Sequence, residues 1–227
     1  MGMHRVIVAG AAGRMGRAAV RTIARRDDMV LVGALGRTAG QDPGPPPRVA
    51  LNIPQQDLAD RAALFAQRLE KLAGCCFFAP TPAAAADYVG TLLDGKRAVA
   101  SGAPFLCACG ITSLPGVELD TGRDACAQAD IGITSASYAL ADTGTLVLLA
   151  SPTEPRLVSL LPPVHIAVLP RSAIITGLDE LFSVLPNPTE QTSSMVLITG
   201  PSRTADIEQI LVRGVHGPGT IHAVIVG

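Results

Sequence analysis

Tryptophan is missing from the 227 residues, and aromatic side chains of any kind make up only 3%. A core without large rings has to be assembled from Ala, Val, Leu and Ile. Charged residues are scarce as well, at 16%, and the formal net charge is only -1. That balance gives neither a basic face for nucleic acid nor a cationic stripe for anionic lipid. No apolar run reaches the length that spans a bilayer, and the first residues hold no long apolar segment of the signal-peptide kind. The five cysteines (Cys75, Cys76, Cys107, Cys109 and Cys126) form no C-x-x-C. An odd count without that spacing argues against a structural zinc or iron–sulfur site and for a reducing compartment, the cytoplasm. Cys107-x-Cys109 is the one close pair with a gap, and it reads as two small core thiols.

What is present is apolar mass: 48% hydrophobic residues over this length is enough for one good core, or a domain with a short appendage. Residues 49–227 alternate between strand-like and helix-like patterns. Asp57 to Leu72 carries apolar residues at helical spacing, and Cys75 to Ala79 reads as a buried strand. Pro82 to Leu93 reads as a helix with Thr81 as its N-cap and Pro82 at the first position. Arg97 to Ala100, Val117 to Leu119, Asp130 to Ser135, Gly144 to Ala150, Val164 to Leu169, Met195 to Ile198 and Ile221 to Val226 read as further strands. Gly122 to Gln128 and Ser172 to Val184 are expected helices, and Pro186 to Thr192 a mobile connection. Such β–α alternation predicts an α/β fold with a largely parallel sheet and helices on both faces.

The N-terminus has its own pattern. A β-type run from Arg5 to Ala9 leads into Gly10-x-x-Gly13-x-x-Gly16, then a helical stretch, then a second β-type run from Met29 to Leu35. Bare glycine lets a backbone approach a pyrophosphate, so a dinucleotide such as NAD(P) is conceivable there. The acid that would bind a ribose hydroxyl after the second strand is missing; Gly36 and Arg37 stand in its place, which suits a 2′-phosphate better. Residues 38–48 are a Gly/Pro-rich linker with Pro45-Pro46-Pro47, so residues 1–37 form an arm ahead of a domain at 49–227.

Two polar clusters stand at strand ends. Asp142-Thr143-Gly144-Thr145 combines a carboxylate with hydroxyls and a glycine, and can hold a ligand or simply make a turn. Gly200-Pro201-Ser202 is turn chemistry, followed by Thr204, Asp206 and Glu208, which fit the cap and first turn of a helix. A helix start there would favour an anion. His216, between Gly214 and Gly217, is the histidine best placed for ligand contact, whereas His165 falls in an apolar strand and reads as core. The two clusters are expected to meet at one pocket for a small hydroxylated anion. No metal-ligand spacing appears, and no catalytic residue is assigned. Pro152 to Arg156 reads as a surface loop or a flexible lid.

The stretch Gly200-Pro201-Ser202-x-Thr204-Ala205-Asp206-Ile207-Glu208, with Gly214-Val215-His216-Gly217-Pro218, resembles the C-terminal signature of the LUD domain family, to which lactate utilization protein C belongs. Ala129-Asp130-Ile131-Gly132-Ile133-Thr134, Ala141 to Thr145 and Ser159-Leu160-Leu161-Pro162 follow the same family's order. One departure is Asp142, where the family commonly has Glu. The resemblance implies a Rossmann-like three-layer sandwich of the NagB/RpiA/CoA-transferase type. It also implies a cluster-free component that supports oxidation of L-lactate to pyruvate alongside Fe–S oxidoreductase partners. Val6 to about Gly36 is separately similar to the N-terminus of dihydrodipicolinate reductase, which leaves an NAD(P)-dependent reductase as an alternative. That enzyme's paired-histidine and lysine motif appears nowhere in this sequence. A small-anion or CoA-like ligand-binding domain is the third reading, suggested by the fold group.

Overall fold

Pairing in parallel joins the two strands of the N-terminal segment, β1 (His4–Ala9) and β2 (Met29–Leu35), with a register shift between Val6 and Ile7. The helical stretch expected between them lies outside the described residues. The computed structural model describes residues 4–9, 29–35, 57–205, 211–214 and 216–227. Gly10, Gly13, Gly16, Arg37 and the Gly/Pro-rich linker fall outside the described residues. The chain divides into two compact units, Met1–Ala50 and Leu51–Gly227.

The second unit opens with α1 (Leu58–Lys71), β3 (Cys75–Ala79), α2 (Pro82–Leu92), β4 (Ala98–Ala100), α3 (Pro104–Ala108), β5 (Val117–Glu118), α4 (Arg123–Gln128) and β6 (Ile131–Ser135). Then come β7 (Tyr138–Leu140), β8 (Thr145–Leu149), α5 (Leu157–Leu160), β9 (Val164–Pro170), β10 (Ile174–Ile175), α6 (Leu178–Val184), α7 (Pro188–Gln191) and β11 (Met195–Ile198). The last strands are β12 (Arg203–Ala205), β13 (Leu211–Arg213) and β14 (Thr220–Val226). The expected cap forms at α2: Ala84 N–H donates to Thr81 Oγ1 at 3.2 Å, with Pro82 in the first turn.

Six strands make an all-parallel sheet in the order β3-β14-β9-β6-β4-β5. Its central strands are buried on both faces, so they read as continuous apolar runs instead of alternating ones. One face packs Ile131, Ile133, Ile166, Val168 and Val224 against α2 and α3 through Val89 and Leu106. The other packs Ala167, Leu169, Ala223 and Ile225 against Phe65 and Leu69 of α1 and against Ala139, Leu146 and Leu148. Those last three residues belong to a smaller sheet, β10-β7-β8-β11, with β7–β8 and β8–β11 antiparallel. The fold class is α/β, as expected. Helices cover both faces, as expected, and a second sheet shares the α1 face.

Two local expectations are also corrected. The helix expected from Ser172 to Val184 is instead a 3-10 turn at Arg171–Ala173, then β10, then α6. Ile174 and Ile175 are β-branched and pair with Ala139 and Leu140, so sheet pairing overrides helical spacing there. The connection from Pro186 to Thr192 contains the helical turn α7.

α5 lies very close to β6. A Cβ built on Gly132 would stand 1.9 Å from the Val158 carbonyl oxygen and 3.0 Å from Pro162 Cγ. Gly132→Ala should therefore push α5 off the sheet and lower the unfolding free energy by at least ~1–3 kcal/mol. Urea denaturation followed by far-UV circular dichroism measures this; an unchanged midpoint would mean that the α5–β6 contact yields freely.

Candidate functional site

The β7–β8 turn carries the first polar cluster. Gly144 has φ +69°, and a Cβ on it would lie 2.5 Å from Leu69 N in α1. Only glycine fits both the conformation and the space. Asp142 N–H donates to Thr176 O at 3.0 Å, and the Asp142 side chain is exposed. Its carboxylate stands over Gly177, where a Cβ would fall 2.4 Å from Oδ2. Thr143 Oγ1 and Thr145 Oγ1 are 2.8 Å apart, and Thr145 Oγ1 is 2.8 Å from Thr199 Oγ1.

Thr199 leads directly into the second cluster. Gly200 has φ +81°, and a Cβ there would reach within 2.9 Å of Leu72 Cβ, just past the end of α1. Arg203 donates from its guanidinium to the Leu72 carbonyl. Ser202 N–H donates to Pro218 O at 2.8 Å, and Gly214 N–H to Ser202 O at 3.0 Å. The two clusters named from the sequence are therefore neighbours, joined by the Thr145–Thr199 contact. The loop carrying His216 closes against the second of them: His216 is exposed, and a Cβ on adjacent Gly217 would lie 3.6 Å from Ser202 Cβ.

The local structure after Ser202 differs from the sequence reading. Thr204 does not cap a helix; it lies in β12, opposite Val212 of β13 in an antiparallel pair. β-branched Thr204 and Val212 suit that ladder. Asp206 and Glu208 lie outside the described residues. Thr145 is only 3% exposed, so its hydroxyl is committed to Thr143 and Thr199. The hydroxyls of this cluster hold the turns to each other before they hold anything else.

Sequence reasoning passed over a second polar group. Glu154, in the loop read as surface, is 7% exposed. Its Oε2 accepts from Ser135 N–H at 3.1 Å, at the carboxyl end of β6. Ser101, fully buried at the carboxyl end of β4, sets its hydroxyl beside the same carboxyl. Neither Ser101 Oγ nor Glu154 Oε1 completes a well-formed hydrogen bond among the described residues. Burial pushes the Glu154 carboxyl up to about 7, against the opposing pull of Ser101 and the Ser135 N–H. Ser101 N–H donates to Ile133 O at 2.9 Å, which puts Ser101 beside Thr134 on the next strand. Thr134 Oγ1 in turn sits 2.8 Å from His165 Nε2. Burial lowers His165 to about 3, so its ring is neutral. An acid between two prolines offered no periodicity from which its burial could be read.

Among the described residues no group of three or more His, Cys, Asp or Glu side chains converges as metal ligands would. All five cysteines are free thiols, and burial raises Cys76, Cys109 and Cys126 further above their ordinary value. Among the described residues no helix is long and apolar enough to cross a membrane.

Residues 117–226 match the family model of the LUD domain. The match covers just under half of the chain. It contains both glycine turns and Glu154, and leaves out α1 and Ser101. Over 95 residues the chain is 46% identical to lactate utilization protein C of Halalkalibacterium halodurans, covering 40% of this chain and 41% of that one. It is 43% identical over 95 residues to lactate utilization protein C of Bacillus subtilis, 40% of each. With that of an Exiguobacterium species it shares 37% over 111 residues, 47% of this chain and 48% of the relative. The chain thus spans less than half the length of these curated relatives. A crystal structure of a duf162 family protein from Deinococcus radiodurans superposes with TM-score 0.62 at 20% identity, covering 76% of this chain and 100% of that one. At that identity the likeness speaks for the fold alone. Residues 4–64 match the family model of the dihydrodipicolinate reductase N-terminus, a match that runs on into α1.

Glu154 and His165 make opposite contributions to stability with pH. The Glu154 carboxyl moves from 4.5 to about 7 on folding, so its contribution is full below pH 4.5 and lost as pH rises to 7. His165 moves from 6.5 to about 3, so its contribution is full above pH 6.5 and lost as pH falls to 3. Between 4.5 and 6.5 the two slopes oppose each other. Glu154→Gln removes one of them, so the stability of the variant relative to the parent should rise by about 3 kcal/mol from acid to neutral pH. Urea unfolding from pH 4 to 8 reads that difference; a constant offset would show that Glu154 is not held neutral.

Proposed function

We propose that this chain is a cluster-free LUD component that supports the oxidation of L-lactate to pyruvate, in the cytoplasm, together with Fe–S oxidoreductase partners. The observation that carries the reading is the match of residues 117–226 to the LUD domain, with relatives at 37–46% identity that are each a lactate utilization protein C. Converting lactate to pyruvate removes two electrons and two protons. The five cysteines lack C-x-x-C spacing, in keeping with partner proteins as the electron carriers. The contribution of this chain is then to hold a small organic anion and to dock those partners. The site proposed for the anion from the sequence comprises Asp142, Thr143, Gly144, Thr145, Gly200, Pro201, Ser202, Thr204 and His216, with Asp206 and Glu208. The contact of Thr145 with Thr199 supports treating those turns as one site.

Deleting the gene in its own host should abolish growth on L-lactate while leaving growth on glucose intact, and a tagged copy should restore growth. Affinity capture of that copy should co-purify proteins with iron–sulfur absorbance near 400 nm. Unimpaired growth on lactate after deletion would refute the reading.

A second reading, dinucleotide binding by the N-terminal segment, is favoured by the match at residues 4–64 and by the parallel β1–β2 pair. Gly10, Gly13, Gly16 and Arg37 would then face NADPH. Titration of the full chain with NADH and NADPH, followed by nicotinamide fluorescence, should show no micromolar binding if the first reading is complete. Micromolar NADPH binding abolished by Gly13→Asp would establish the second.

A further inference from the structure

A hollow of about 740 Å³ lies between the loop following β8 and the residues between α7 and β11. Ser151, Arg156 and Leu157 form one wall, and Gln191, Ser193 and Ser194 the other. Its volume falls in the range of small-molecule sites. It lies at the opposite end of the β8–β11 pair from Thr145 and Thr199, because Leu149 pairs with Met195 here and Leu146 with Ile198 there.

The walls are pinned to each other without a ligand. Ala150 N–H donates to Ser194 O at 2.9 Å, and Thr192 Oγ1 reaches Ala150 O at 2.7 Å and Ser194 O at 2.8 Å. Ser151 and Glu154 exchange backbone hydrogen bonds at 3.1 and 3.2 Å, and Ser159 Oγ donates to Arg156 O at 3.0 Å. Pre-formed walls lower the ordering cost of binding.

Charge decides what fits. Among the described residues Arg156 is the one charged side chain lining the hollow. The ion pairs among the described residues are Arg61–Glu180 and Arg97–Glu118, and Arg156 is in neither. The nearest acid in sequence, Glu154, turns away into the sheet toward Ser135, so among the described residues no acid pairs with the guanidinium. A guanidinium fork matches a carboxylate in two parallel hydrogen bonds. A single cation with serine hydroxyls, a glutamine amide and Leu157 suits a monoanion bearing one further oxygen better than a phosphate dianion. Through Glu154 the loop also rides on the carboxyl ends of β4 and β6, the edge of a parallel sheet where ligands bind.

We infer that this hollow, a site separate from the turns at Thr145 and Thr199, binds a small 2-hydroxy or 2-oxo carboxylate, with Arg156 as the partner of the carboxylate. The choice of acid rests on the lactate-utilization reading above; the choice of an organic monoanion rests on the walls.

Isothermal titration of the full chain with L-lactate, pyruvate and inorganic phosphate tests it. L-lactate or pyruvate should bind, and Arg156→Gln should weaken binding by about tenfold or more, since a hydrogen bond to a charged group is lost. Arg156→Lys should restore part of it, and Lys96→Gln, an exposed charge elsewhere, should change nothing. Ser193→Trp should block binding by filling the hollow, with an unchanged melting temperature showing that the fold is intact. Tighter binding of phosphate with the same dependence on Arg156 would overturn the carboxylate assignment. Carboxylate binding indifferent to Arg156 and Ser193, or no binding of either acid, would overturn the site. If neither acid binds yet gene deletion abolishes growth on lactate, the hollow fails and the function stands. If binding depends on Arg156 and deletion has no effect on growth, the function fails and the site stands.

Discussion

Where α1 ends, two other stretches of backbone come too close to it for any side chain. Gly144 meets the backbone of Arg68 and Leu69, and Gly200 meets Leu72. Both glycines hold positive φ, so the turn shapes and the close approach require the same residue. This double contact seats the β8–β11 pair on α1. It also brings Thr145 to Thr199, and it positions the second turn for Ser202 to hydrogen-bond Gly214 and Pro218, on either side of His216. The small sheet, the helix and the polar turns depend on one constraint of space.

The two ends of the β8–β11 pair differ in chemistry. At the α1 end, hydroxyls satisfy one another and the glycines permit contact, which is the arrangement of a joint. At the other end, Glu154 faces inward and Arg156 outward from one short loop, so two opposite charges two residues apart in sequence do not pair. Burial pushes the carboxyl of the first up to about 7, while the second is exposed. A loop built this way separates an anchoring role from a binding role by the direction its side chains take.

Much of the framework was legible in the sequence because buried parallel strands are written as short apolar runs. Cys75–Ala79 and Met195–Ile198 have the bounds read from their residues, and Thr81 caps α2 as its position next to Pro82 implied. Local pattern misled where strand pairing took over. Ile174 and Ile175 sit at helical spacing with their neighbours yet pair with β7, and Thr204 looks like a cap yet lies opposite Val212. α3 and α5, of five and four residues, are too short for any period to show. The site was half legible. Glycines and threonines at strand ends marked the joint, since turn chemistry is local. The burial of Glu154 depends on Ser101 and Ser135, which are brought together by the sheet, and no stretch of sequence around the acid records that.

β14 occupies the interior of the six-stranded sheet, between β3 and β9, although every other strand precedes it along the chain. As the polypeptide leaves the ribosome, β3 has no partner on either side, and β9 has one bare edge, until Thr220–Val226 emerges. Until then those open edges can pair with other chains. Completing the sheet therefore requires one strand to enter between two that are already in place, so its two ladders form together or not at all.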